Sequence, residues 1–144
     1  MKVCRRGVAV SWICAVIGAL AWIWPAGTGA ADGPGKSRNL SPAEARELIR
    51  ANAGDPGFVL LDVRTPGEFG EGRIEGAKLL DYRSPSFREE ASRLDRKRKY
   101  LVYCRTGNRS AGAVEVLEEL GIGEIRHLEG GIVKWKEAGL PTVK

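Results

Sequence analysis

The sequence predicts an α/β domain whose core is a mainly parallel sheet of about five short strands flanked by helices on both faces. Three observations point there. Phe58-Val59-Leu60-Leu61 and Tyr100-Leu101-Val102-Tyr103 are short, continuous apolar runs, the pattern of strands buried on both faces. These runs alternate with segments of helical periodicity, as right-handed crossover connections require. Asp62, Cys104 and Glu129 each stand directly after a strand pattern, so one edge of the sheet should collect them, and that is the edge where ligands bind in open α/β sheets.

Taken in order, Ser41-Pro42-Ala43-Glu44 combines an N-cap serine, a proline at the first helical position and a glutamate at the third, opening a helix to about Ala51. Asp55-Pro56-Gly57 breaks the chain before the strand that ends at Asp62. Thr65-Pro66-Gly67-Glu68 is a second capping box. Ala77 to Leu80 fits a short strand and Ser86 to Leu94 a helix. From Ser110 to Leu120, apolar residues at Ala113, Val114, Val116, Leu117 and Leu120 follow a 3.6-residue period, and Gly121 supplies a C-cap. Ile125 to Leu128 reads as the last strand, Glu129-Gly130-Gly131 as a turn and Ile132 to Ala138 as a closing helix.

The N-terminal region has a different character. Lys2, Arg5 and Arg6 precede an apolar stretch of 18 residues, Gly7 to Trp24, interrupted only by Ser11 and followed by Pro25 and small residues through Ala31. This order matches a secretory signal peptide over residues 1–31, with cleavage expected after Ala30 or Ala31. The stretch is also close to the length that crosses a bilayer as a helix, so an uncleaved membrane anchor is the alternative. Either way the domain is expected outside the cytoplasm, in a bacterial periplasm, free or tethered to the inner membrane. Arg5-Arg6 is a weak match to a twin-arginine export signal. Residues 32–38 (D-G-P-G-K-S-R) read as a linker, and 39–144 as one folded domain, expected to be a monomer.

Composition narrows the functions. With 43% hydrophobic and 28% charged residues the chain can build a core. The net charge of +5 is concentrated at the start: of 23 basic residues three lie in the leader, leaving 20 against 18 acidic ones. A nearly neutral domain gives no support for nucleic-acid binding, and the run Arg93 to Lys99 reads as a solvated helix end. Cys4 and Cys14 lie in the leader, so Cys104 is the single thiol of the domain, either buried and inert or reactive.

The segment Cys104-Arg105-Thr106-Gly107-Asn108-Arg109-Ser110 decides for reactivity. Its glycine and asparagine tolerate the backbone angles of a tight loop whose N–H groups converge on one anion, and the following helix adds the positive end of its dipole. Arg105 and Arg109 stand nearby, so the thiol is expected below its ordinary range of about 8.5. Packing of a small apolar residue would require neither the arginines nor the nest.

This loop resembles the active-site loop of the rhodanese family. Leu61-Asp62-Val63-Arg64, with Pro66, Glu68 and Gly72-Arg73-Ile74-Glu75-Gly76-Ala77, is similar to that family's upstream signature, and Leu128-Glu129-Gly130-Gly131 with Trp135 to its final turn and helix. The likeness runs from Leu40 to Pro141; Arg73 departs from it, since many members carry histidine there. The resemblance implies a rhodanese-like fold and a thiosulfate sulfurtransferase. The Cys104 thiolate would attack the outer sulfur of thiosulfate or a polysulfide, sulfite would leave, and the persulfide would pass its sulfur to cyanide or a thiol. Such two-step covalent transfer has ping-pong kinetics and needs no metal or organic cofactor.

Within that scheme, backbone N–H groups from Arg105 through Thr106, Gly107, Asn108 and Arg109 to Ser110 are expected to hold the persulfide. The Arg105 and Arg109 side chains would attract the anionic donor, and Asp62 and Arg64 would brace the sheet edge. His127, the single histidine, is assigned a structural place, and Trp135 packs in the core or an interface. A phosphatase loop has five residues between cysteine and arginine, whereas Arg109 leaves four, and Ser110 holds the position an arginine would need. A persulfide carrier, or a sulfur-sensing module without turnover on small molecules, is the alternative of a different class.

Overall fold

The computed structural model describes residues 37–144; residues 1–31, expected to be a leader and carrying Cys4 and Cys14, and residues 32–36 of the expected linker lie outside the described residues. Five strands, β1 (Arg38–Leu40), β2 (Phe58–Asp62), β3 (Lys78–Leu79), β4 (Lys99–Tyr103) and β5 (Glu124–Leu128), form one sheet in the order β1-β5-β4-β2-β3. All four pairings are parallel. Five helices connect or close them: α1 (Pro42–Ala51), α2 (Pro66–Glu71), α3 (Phe87–Ser92), α4 (Asn108–Glu119) and α5 (Gly131–Glu137). The expected α/β architecture is therefore present, with a sheet that is parallel throughout.

Alternation of side chains along the strands divides the core into two layers. On one face Val59, Leu61, Val102 and Cys104 meet Phe87 and Ala91 of α3 and Ala113, Val114 and Leu117 of α4. On the other, Leu60, Leu101, Tyr103 and Leu128 meet Ala45 of α1 and Ile132 and Trp135 of α5. Fully burying a leucine-sized side chain contributes roughly 1.5–3 kcal/mol, and the central strands, apolar on both faces, gain it on each side. Trp135 belongs to this core and donates its indole N–H to the Pro141 carbonyl at 2.9 Å.

Both capping boxes form. Ser41 and Glu44 exchange side-chain and backbone hydrogen bonds at the start of α1, and Thr65 and Glu68 do so at the start of α2. Gly121 follows α4 with φ +82°, and its N–H donates to the Glu118 carbonyl.

Two expectations shift. Residue 38, expected in the linker, opens β1, a strand without a counterpart in the sequence reading. β1 is three residues long, carries Arg38 and Asn39 outside the apolar pattern, and is defined by its register on β5, where Arg38, Asn39 and Leu40 pair with Arg126, His127 and Leu128. The helix expected from Ser110 begins at Asn108, because Gly107, at φ +104°, already turns the chain into it. Three of the seven loop residues are thus the first turn of α4.

Candidate active site at the carboxyl edge of the sheet

β2, β4 and β5 end at Asp62, Tyr103 and Leu128, so their parallel register delivers Asp62, Cys104 and Glu129 to one edge. Cys104 is 1% exposed. The Gly107 N–H donates to its Sγ at 3.1 Å, and the Ser110 hydroxyl lies 3.4 Å from the same sulfur. Burial opposes ionisation of this thiol. Hydrogen bonds from the Ser110 hydroxyl and from the N–H groups of Ser110, Gly107 and Thr106 together outweigh it and hold the thiol below its ordinary value. The nest is consequently narrower than the whole of 105–110: Thr106, Gly107 and Ser110 supply it.

The turn before α5 keeps the loop in this conformation. The Ile132 and Val133 N–H groups donate to the carbonyls of Cys104 and Arg105 at 2.9 and 3.1 Å. Gly131 sits at φ +59°, and a Cβ there would lie 2.4 Å from the Cys104 carbonyl oxygen, so no other residue fits this approach. The Glu129-Gly130-Gly131 turn is part of the site because it fixes the peptides flanking the sulfur.

Asp62 and Arg64 pair at the same edge. Arg64 Nη2 donates to Asp62 Oδ2 at 2.6 Å and to the Gly72 carbonyl at 2.8 Å, and Nε donates to both carboxylate oxygens. Their side chains are 0% and 5% exposed. The guanidinium lies 5.7 Å from the centre of the Tyr103 ring, whose hydroxyl accepts the Ile74 N–H at 3.2 Å. Burial, seconded by the Asp62 charge, pushes the Tyr103 phenol far up, so it stays neutral. Arg73 stacks 4.7 Å above the Phe69 ring, away from the sulfur's hydrogen-bond partners.

The arginines of the loop behave differently from each other. Arg109 donates two bonds of 2.7 Å to the two oxygens of Glu68, so its charge is already engaged by α2. Arg105 is exposed and its guanidinium has no protein partner among the described residues. Together with Arg83, Thr106, Asn108 and the Arg109–Glu68 pair it lines a cleft of about 570 Å³ over the loop. Arg83, whose guanidinium is also without a protein partner there, was not singled out by the sequence. It lies 21 residues before Cys104, and only the fold brings it to the cleft. His127 was assigned a structural place, yet its Nε2 is 2.7 Å from Ser110 Oγ and its Nδ1 is 3.0 Å from Asn39 Oδ1. Those contacts span 17 and 88 residues, beyond the reach of any local pattern.

The chain's likeness to known proteins agrees with this geometry. The uncharacterized protein slr1261 of Synechocystis is 42% identical over 107 residues, which cover 73% of this chain and 55% of that protein. The chain thus spans about half the length of that relative. A sulfurtransferase of Allochromatium vinosum is 34% identical over 104 residues, covering 72% of this chain and 95% of that one. Among solved structures, a rhodanese-related protein of Thermoplasma volcanium superimposes with a TM-score of 0.63 at 39% identity, covering 74% of this chain and 97% of the other. The profile of the rhodanese-like domain matches residues 41–138, from the first N-cap to the end of α5, and this chain belongs to the rhodanese-like domain family.

Proposed function

We propose that this domain moves a sulfane sulfur from thiosulfate or a polysulfide to a thiol or cyanide through a persulfide on Cys104. The observation that carries the reading is the sulfur itself: a buried thiol, held below its ordinary value by one hydroxyl and three N–H groups at the start of a twelve-residue helix. A thiolate there is stabilised by these donors, and the same donors suit the persulfide anion that replaces it. The likeness to the sulfurtransferase of Allochromatium vinosum supports the general activity.

Burial also favours this donor class. Cys104 is almost closed off, so its partner must present a slender electrophile, and the terminal sulfur of thiosulfate or a polysulfide carries no substituent to obstruct the approach. The guanidinium groups of Arg83 and Arg105, without a protein partner among the described residues, favour a donor with two negative charges, whereas Arg109 is neutralised by Glu68 and serves the loop's geometry. Attack forms the Sγ–S bond as sulfite leaves with the electron pair of the old bond. An acceptor then takes the outer sulfur and Cys104 departs as thiolate. The leader supports action outside the cytoplasm, in a periplasm; cell fractionation with N-terminal sequencing tests that placement.

The deciding experiment is intact mass after incubation with thiosulfate, then thiocyanate production on adding cyanide, with Cys104→Ser in parallel. The expected result is one added sulfur on the unmodified protein alone, discharged over many cycles. Loading released only to a protein acceptor would assign a carrier instead, and absence of loading from both thiosulfate and polysulfide would remove Cys104 as the nucleophile.

A further inference from the structure

Ser110 is wholly buried and joins three groups: Cys104 Sγ at 3.4 Å, the Gly107 carbonyl at 2.9 Å and His127 Nε2 at 2.7 Å. Its hydroxyl has one hydrogen, so the donors must be assigned by what each neighbour can do. Asn39 Oδ1, facing His127 Nδ1 at 3.0 Å, can only accept, which places the imidazole hydrogen on Nδ1. In a neutral ring Nε2 is then a bare lone pair, and the 2.7 Å contact requires the Ser110 hydrogen. The Gly107 carbonyl does not depend on it, because it accepts the Ala111 N–H at 3.0 Å. Ser110 Oγ is left with lone pairs toward Cys104. With the sulfur protonated the donors then run from the Cys104 thiol to Ser110, from Ser110 to His127 and from His127 to Asn39, whereas with the sulfur ionised the Ser110 hydroxyl donates to Sγ, the direction in which it lowers the thiol.

We propose that His127 is a positioning and proton-holding residue, which takes the Cys104 proton through Ser110 and keeps it while the sulfur is thiolate or persulfide. The S–H bond breaks as that proton joins Ser110 Oγ, and the serine's own hydrogen passes to Nε2. A thiolate and an imidazolium result, with no net change of charge and no proton released to solvent. Ser110 then donates toward the sulfur, the arrangement that stabilises the anion. When the acceptor removes the outer sulfur, Sγ leaves as thiolate and the proton is available to return by the same path. The inference rests on Cys104 being the working nucleophile and adds a role that the sulfur-transfer reading does not need.

The surroundings allow this exchange. Burial depresses His127, so the ring is neutral before transfer, while the Gly107 carbonyl and the Glu129 carboxylate favour the imidazolium. The register neighbours of His127, Asn39 on β1 and Val102 on β4, carry no charge. From α4, Arg109 faces the sulfur's charge but is itself neutralised by Glu68 of α2. The new counter-charge of the imidazolium is accordingly the thiolate.

The test is the rate of Cys104 alkylation by iodoacetamide from pH 5 to 10 on the full chain, followed on the Cys104 peptide so that Cys4 and Cys14 do not contribute. It compares wild type, His127→Phe and Asn39→Asp, each checked for folding by its thermal transition. His127→Phe removes both ring nitrogens and should move the ionisation midpoint of Cys104 up by a pH unit or more, slowing alkylation at least tenfold near pH 6. Asn39→Asp strengthens the Nδ1–H bond, stabilises the imidazolium and should move the midpoint down. A carboxylate acting merely as a nearby negative charge would move it up. An Asn39→Asp midpoint that is unchanged or raised overturns the relay whatever His127→Phe does, and this variant decides alone if the phenylalanine does not fold. The opposite shifts, found in a protein that takes no sulfur from thiosulfate or polysulfide, would keep the relay and reject the proposed substrate chemistry.

Discussion

The first turns of α1 and α2 are written with the same chemistry: a hydroxyl at the N-cap, proline next, and glutamate three residues after the cap. Glu44 serves its own helix and meets Arg38 at 3.5 Å, with both side chains about half exposed. Glu68 serves its own helix and also receives two 2.7 Å bonds from Arg109, where the side chains are 24% and 17% exposed. The difference lies in what the fold places opposite. α1 begins beside the edge strand β1, whereas α2 begins across from the loop that follows the central strand β4. The same local device becomes a clamp on the Cys104 loop only because the sheet order sets β2 and β4 side by side.

Replacing each glutamate by glutamine is the strongest way to break the equivalence. Glu68→Gln leaves the Arg109 guanidinium without its carboxylate and should cost about 1–2 kcal/mol, reduced by partial solvent access from what a buried charged bond contributes. That corresponds to a drop in Tm on the order of 5 °C for a domain of this size. The released guanidinium joins Arg83 and Arg105 at the cleft, so KM for thiosulfate should fall while stability falls. Glu44→Gln should lower Tm less and leave KM unchanged. Equal effects on KM would show that the Arg109–Glu68 clamp has no bearing on donor binding.

The caps themselves give a smaller and more symmetrical test. Ser41→Ala and Thr65→Ala each remove the side chain that accepts the third-position N–H, a loss of about 1 kcal/mol in either helix. Thermal melts should therefore place the two variants close together. Iodoacetamide alkylation should separate them, because Thr65 also donates to the Glu68 carboxylate that holds Arg109. Faster alkylation of Cys104 in Thr65→Ala alone is the expected outcome, and indistinguishable rates would confine the second cap to its helix.

What the sequence shows and what it conceals divide along the same line. Caps, buried strands and the loop from Cys104 to Ser110 are legible because their physics is local: a hydroxyl reaching an N–H three residues on, or an apolar run ended by a polar residue. Asp62 and Arg64 are two residues apart, and their bracing pair is likewise anticipated. β1 is not legible, since three residues, two of them polar and exposed, acquire strand geometry only from β5. The Glu68–Arg109 pair joins residues 41 positions apart, and Asn39 reaches His127 across 88. In the sequence Arg109 reads as a donor-binding residue because its partner belongs to a different local motif. Arg83 carries no such signal because its own neighbourhood is an ordinary turn.

The smallest expected effect separates the two glutamates by pH. The Ser41 N–H and then the Ser41 hydroxyl lower Glu44, with Arg38 adding a lesser attraction. Glu68 is lowered to about 2, first by its bonds from Arg109 and then by those from Thr65. Both folded-state values are depressed, so each carboxylate contributes stability that is present above its unfolded value of about 4.3 and lost as pH falls through the folded one. The Tm difference between wild type and Glu44→Gln should accordingly close at a higher pH than the difference between wild type and Glu68→Gln, which should persist toward pH 2. His127, depressed by burial, has the opposite chemistry but the same direction: below about pH 6.5 the unfolded chain binds a proton that the folded one refuses, and stability declines in all three proteins alike. Because that decline is common to them, the differences isolate the carboxylates. If the Glu68→Gln difference disappears by pH 4.5, Arg109 does not hold Glu68 in solution as it does here, and the clamp would have to be withdrawn along with its effect on donor binding.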